Sequence, residues 1–168
     1  MVPQPDSNRR RLLLWGAASV GTLCLGSMRA VAAADPFAAS PWRKLSDDDW
    51  KKRLSPAAFD VLRREGTEPP FSSPLNDEHR RGTFVCGGCG LPLFKSDWKF
   101  NSGTGWPSFY TSFKGAVGTK ADHLLGYERV EYHCAQCLGH QGHIFKDGPP
   151  PTGLRYCDDG VGLKFVPA

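Results

Sequence analysis

Cys157, in Gly153-Leu154-Arg155-Tyr156-Cys157-Asp158-Asp159-Gly160, is the residue whose chemistry is hardest to explain as packing. Of the six cysteines, Cys86 and Cys89 form one CxxC pair, Cys134 and Cys137 form another, and Cys24 falls in a leader-like segment, which leaves Cys157 alone. Fourteen and seventeen residues upstream lie His143 and His140, in His140-Gln141-Gly142-His143-Ile144-Phe145. A lone thiol with histidines elsewhere in the chain is the raw material of thiol catalysis, because a positioned imidazole can favour the thiolate or move protons.

The two CxxC pairs carry a different chemistry. Thr83-Phe84-Val85 reads as a strand leading into Cys86-Gly87-Gly88-Cys89, and Val130-Glu131-Tyr132-His133 as a second leading into Cys134-Ala135-Gln136-Cys137, with 44 residues between the hooks. A two-residue spacer lets both sulfurs of one turn reach two corners of a tetrahedron, so Cys86, Cys89, Cys134 and Cys137 form a candidate four-thiolate Zn2+ site. All four positions would be filled by protein, which makes such a zinc structural. The alternative in an exported protein is two disulfides.

The elements that must position these groups are mostly strands and loops, as 19 Gly and 14 Pro in 168 residues suggest. Ser46 is placed to cap a short helix with Asp47, Asp48 and Asp49 in its first turn, and Ser55-Pro56 to open a second with Phe59 and Leu62 on one face and Gly66 at its end. Between the hooks, Ser102-Gly103-Thr104-Gly105-Trp106-Pro107-Ser108-Phe109 sets a tryptophan among glycines and a proline, so Trp106 belongs to a shaped loop and is available to line a pocket or to plug the core. Val161, Leu163 and Phe165 alternate as a half-buried last strand, with Cys157 at the end of the strand before it.

Length and apolar content suit one domain over 35–168. The formal charge of +4 falls to +1 once Arg9, Arg10, Arg11, Arg29 and Asp6 are set aside, too little to offset phosphates, so no nucleic-acid partner is expected. Those arginines precede a weakly apolar run, Leu12 to Leu25, and the small residues Ala30 to Ala34, the order of a cleavable export signal over 1–34. The run is short of the roughly 20 residues needed to span a bilayer. Paired arginines before it are similar to a twin-arginine signal. A periplasmic monomer without stable membrane association is the resulting expectation.

From Trp42 to Pro167 the chain resembles the methionine-R-sulfoxide reductases of the MsrB family. The matching pieces are Gly66-Thr67-Glu68-Pro69-Pro70-Phe71, both hooks, the Ser102–Phe109 loop, His140 to Phe145, Asp147-Gly148-Pro149 and Gly153 to Cys157. The resemblance implies a mainly β fold of two antiparallel sheets with short N-terminal helices and a structural zinc. It also implies reduction of methionine-R-sulfoxide, usually in oxidised proteins. By position it makes Cys157 the nucleophile, His143 the residue closest to proton transfer, His140 and Arg155 its polar companions, and Trp106 the wall against the substrate methyl group. Phe109 and Asp159 join Trp106 as expected substrate-binding residues. A protonated His143 is expected to supply the proton that the leaving sulfoxide oxygen needs.

Two departures from the family stand out. Thr104 occupies the place where many members carry a resolving cysteine, so a sulfenic acid on Cys157 would need an external thiol, from a thioredoxin-like reductant. Asp158-Asp159 stands where an apolar residue and Asn are more usual, and an ionised carboxylate there would raise the Cys157 pKa. Two other readings remain at this point: a zinc ribbon in which Cys157 is a small core residue, and Cys-His hydrolysis, for which no oxyanion hole is identifiable.

Overall fold

In the computed structural model, which describes residues 35–168, two short helices come first, α1 (Asp47–Lys51) and α2 (Pro56–Arg64). The export signal expected over 1–34, with Cys24, lies outside the described residues. Among the described residues no helix is long and apolar enough to cross a membrane. Ser46 closes a capping box: its hydroxyl accepts from the Asp49 N–H at 3.2 Å, and the Asp49 carboxylate accepts from the Ser46 N–H at 3.1 Å. Pro56 sits in the first turn of α2, behind Ser55 as its cap. The left-handed residue that ends α2 is Glu65, with φ of 57°, and not the expected Gly66. Gly66 follows it because its N–H returns to the Asp60 carbonyl, at 3.1 Å, in space the Asp60 side chain already fills.

Nine strands follow: β1 (Gly82–Cys86), β2 (Pro92–Lys95), β3 (Lys99–Phe100), β4 (Ser108–Phe109), β5 (Val117–Asp122), β6 (Arg129–Cys134), β7 (His140–Phe145), β8 (Arg155–Asp158) and β9 (Leu163–Pro167). They form two antiparallel sheets, one in the order β2-β1-β9 and one in the order β3-β4-β8-β7-β6-β5. The fold is therefore mainly β, as expected.

Side chains alternate between the faces of a sheet, and residues directly opposite on paired strands share a face. In the larger sheet Phe109 pairs with Tyr156, and Tyr156 with Ile144. That face turns inward. Phe109 is stacked on Phe94, with ring centroids 4.1 Å apart and planes 6° apart, and meets Phe84 edge-on. Phe84, Phe94, Phe109 and Tyr132 are fully buried and join the two sheets. Trp50, Phe59 and Leu62 of the helices complete the same core. Arg43 and Arg63 donate to the carbonyls of Ala135 and Cys137, at 2.6 and 3.0 Å, and so latch the helical segment onto the second hook.

Candidate active site

The other face of the larger sheet carries the reactive groups. Cys157 on β8 pairs directly with His143 on β7 and with Ser108 on β4, and Arg155 pairs with Phe145. Cys157, Arg155, His143 and Phe145 consequently project to one side. A pocket of about 120 Å³ opens there, lined by Thr67, Trp106, Arg129, His143, Phe145 and Cys157, with Asp158 and Asp159 behind the thiol. Cys157 is an internal strand residue, not a strand end as its sequence suggests, and it is only partly covered.

The Asp122 carboxylate accepts from His143 Nε2 at 2.7 Å and from Arg129 at 2.5 Å, which leaves the lone pair of a neutral His143 on Nδ1. Burial lowers the His143 pKa below its ordinary value, against the opposing pull of Asp122. The shift favours the neutral imidazole. Burial pushes the Cys157 thiol up to about 11, despite the nearby Arg155 cation and a hydrogen bond from Thr104, and the Asp158 and Asp159 carboxyls add to the rise. The thiol form is thereby favoured at neutral pH. Both shifts favour thiol and neutral imidazole in the resting site.

Arg155 forks onto Asp147, with two hydrogen bonds of 2.9 Å, and lies over the Phe145 ring at 4.3 Å. His140 stands behind His143, ring edge to ring at 5.5 Å. Its Nδ1 meets the Glu131 carboxylate at 2.7 Å, while its buried Nε2 has no hydrogen-bond partner and lies 3.9 Å from the Asp159 carboxylate. Burial works to raise the Glu131 pKa, but the hydrogen bonds from His133 and His140 win and hold it at about 2.

The two aspartates after Cys157 take different environments. Asp158 faces the core, fully buried, where the Tyr132 hydroxyl donates to it at 2.6 Å. Burial outweighs that bond and raises its pKa well above the carboxylate range, which favours the neutral form. Asp159 is raised to about 6, chiefly by burial, although it accepts from the Glu68 N–H at 2.9 Å.

Trp106 lines the pocket and is not a core plug: its indole Nε1 donates to the Glu68 carbonyl at 3.1 Å. Phe109 is the residue the structure removes from the expected site. It stands one position past Ser108, the partner of Cys157, so strand alternation sends its ring to the opposite face and into the core.

Several contributing residues were not legible in the sequence. Glu68 binds the N–H groups of Gly160 and Val161, at 2.6 and 3.1 Å, while its backbone holds Asp159 and Trp106. One residue thus ties the tryptophan wall to the turn behind the thiol. Asp122 and Arg129 fall at the ends of a hairpin, where neither type nor spacing marks them. Glu131 stands between the apolar Val130 and Tyr132 of β6.

Away from the pocket, the sulfurs of Cys86, Cys89, Cys134 and Cys137 lie within 4.8 Å of one another, with Cys86 and Cys137 3.6 Å apart and Cys89 and Cys134 3.5 Å apart. Tetrahedral zinc at about 2.3 Å from each sulfur separates them by about 3.8 Å. All four are free thiols. Their spacing suits a metal ion and not the disulfides considered as the alternative.

A SelR domain family model matches residues 54–167. Proteins named peptide methionine sulfoxide reductase MsrB are similar over most of their length. That from Leptospira interrogans is 51% identical over 121 residues, 71% of this chain and 92% of the relative. That from Agrobacterium fabrum is 47% identical over 129 residues, 76% and 96% of the two chains, and that from Bradyrhizobium diazoefficiens 50% over 123 residues, 73% and 88%. Fold, site and relatives together define an oxidoreductase, of the class of peptide-methionine (R)-S-oxide reductases. The chain belongs to the MsrB family.

Proposed function

We propose that the protein reduces methionine-R-sulfoxide through oxygen transfer to Cys157, with His143 as the proton carrier. The observation that carries this reading is the direct cross-strand pairing of Cys157 and His143 on the floor of a pocket walled by Trp106. Attack by the Cys157 sulfur on the sulfoxide sulfur needs a proton on the oxygen, which would otherwise leave as oxide. The thiol brings that proton itself. Neutral His143 accepts it as the sulfur attacks and passes it to the oxygen. The S–S bond formed in the attack then breaks, with its electron pair returning to the substrate sulfur, as the protonated oxygen moves from that sulfur to Cys157. Methionine leaves, the substrate sulfur has gained two electrons, and Cys157 has lost two and holds the oxygen as a sulfenic acid. Trp106 receives the methyl group while the oxygen meets His143 and Arg129, which selects one epimer. Asp159 orients the turn behind the thiol, and Arg155 and His140 position Cys157 and His143.

The sulfenic acid is reduced from outside. One thiol condenses with it to a mixed disulfide and water, and a second thiol releases Cys157 and leaves as disulfide. Thr104 lies against Cys157 in the place of an internal resolving thiol, and the remaining cysteines of the domain belong to the hooks. A thioredoxin-like protein is the fitting donor. Zn2+ is the fitting ion for the four-cysteine cluster. An export signal over 1–34 would place this activity, as a monomer acting on oxidised proteins or free methionine sulfoxide, in the periplasm. Mass spectrometry of protein after one turnover without reductant tests the scheme: Cys157 heavier by one oxygen or trapped by a sulfenic-acid reagent is expected. An internal disulfide would contradict it.

A further inference from the structure

The reactive pocket is the inner end of a longer groove. Thr67, Arg129 and His143 also border a second depression of about 510 Å³ that runs outward to the turn between β5 and β6. That turn holds Leu124, Leu125 and Tyr127, 83%, 58% and 58% exposed, within four residues, and both leucines line the depression. Two local hydrogen bonds shape the apolar tip. The Leu124 N–H donates to the Asp122 carboxylate at 2.8 Å and the Gly126 N–H to the His123 carbonyl at 3.0 Å. Asp122 is the same carboxylate that orients His143.

We infer that the Leu124–Leu125 tip is a docking surface for the polypeptide flanking an oxidised methionine, gripping an apolar side chain two or three residues away in an extended, unfolded segment. The inference rests on the reductase reading above. A methionine side chain is short, so a sulfoxide sulfur brought to Cys157 holds its own main chain at the pocket rim. An extended chain advances about 3.3 Å per residue, so its neighbours must cross that rim. On the far side of Trp106 a separate depression of about 190 Å³ is bordered by Phe71, which is 73% exposed and whose N–H donates to the Gly105 carbonyl. On the near side the groove continues to exposed leucines. A free amino acid would not reach them.

The test compares the full-length protein with Leu124→Ser/Leu125→Ser, using dithiothreitol as reductant. The substrates are a blocked single methionine-R-sulfoxide and a peptide carrying the same residue flanked by leucines. Both substituted side chains are exposed, so folding should be retained. The expected result is a loss of about tenfold or more in kcat/KM for the peptide, mainly through KM, with the small substrate within about twofold. Unchanged peptide turnover would overturn the docking surface. So would an equal loss on both substrates, which would mean that the tip only supports Asp122 and His143. A loss seen only when thioredoxin replaces dithiothreitol would assign the tip to the reductant, and loss of self-association in the variant would assign it to a second copy. Either overturns the inference. Wild-type protein inactive on both substrates would instead reject the reductase reading, and the docking surface with it.

Discussion

At the scale of single residues, the site turns on two aspartates that the sequence makes look harmful. Charged residues beside a thiol suggest ionised carboxylates, but Asp158 points into the core and only Asp159 stands near the ionisable range at neutral pH. The raised pKa of Asp159 has a definite consequence for stability. Its carboxyl is moved from 3.8 to about 6 in the folded protein. Between those values the folded state holds more proton than the unfolded one, so stability falls as pH rises through the interval. The loss is at most about 3 kcal/mol. Asp159→Asn keeps an acceptor for the Glu68 N–H and removes the charge. It should raise Tm at pH 7.5 and leave it unchanged at pH 4, as followed by thermal unfolding. It should also speed alkylation of Cys157 at pH 8 and keep or raise reductase activity. Slower alkylation, or an activity loss beyond about tenfold, would mean that Asp159 has a role its charge does not explain.

At the scale of elements, the central strand of the site was the least legible. His140-Gln141-Gly142-His143-Ile144-Phe145 contains no apolar alternation, because His140, Gln141 and Gly142 are buried without being apolar and His143 faces the pocket. Without that strand, the pairing of His143 with Cys157 cannot be placed. By contrast, β1 and β6 were readable from short apolar runs before each hook, and both helices from Ser caps, acidic residues and Pro56. Gly142 shows why composition misleads here: a Cβ on it would lie 1.9 Å from the Cys157 carbonyl oxygen. Glycine in this strand allows close backbone approach. Gly142→Ala should therefore force β7 from β8, lowering both Tm and kcat/KM, the latter by more than about tenfold because the Cys157–His143 alignment is lost. Unchanged kinetics with unchanged Tm would show that the strands adjust freely.

At the scale of the whole molecule, the two hooks explain how nine short strands hold one geometry. Cys86 ends β1 in the smaller sheet and Cys134 ends β6 in the larger one, so an ion held by the four cysteines would join the two sheets. This much was legible, because CxxC spacing encodes geometry directly, whereas the partners of Cys157 depend on register. Metal analysis should return one zinc per chain. Its removal by a strong chelator should lower Tm by about 10 °C or more, with activity lost in parallel with structure. Activity lost from a fully folded metal-free protein would place the metal in the chemistry instead. The central claim concerns Cys157 itself, and single-turnover reduction of the separated R and S epimers of a blocked methionine sulfoxide tests it most directly, with Cys157→Ser as control. The account predicts that the R epimer alone yields methionine, one equivalent per thiol, and that the control yields none. Equal reduction of both epimers, or product from the Cys157→Ser variant, would contradict it.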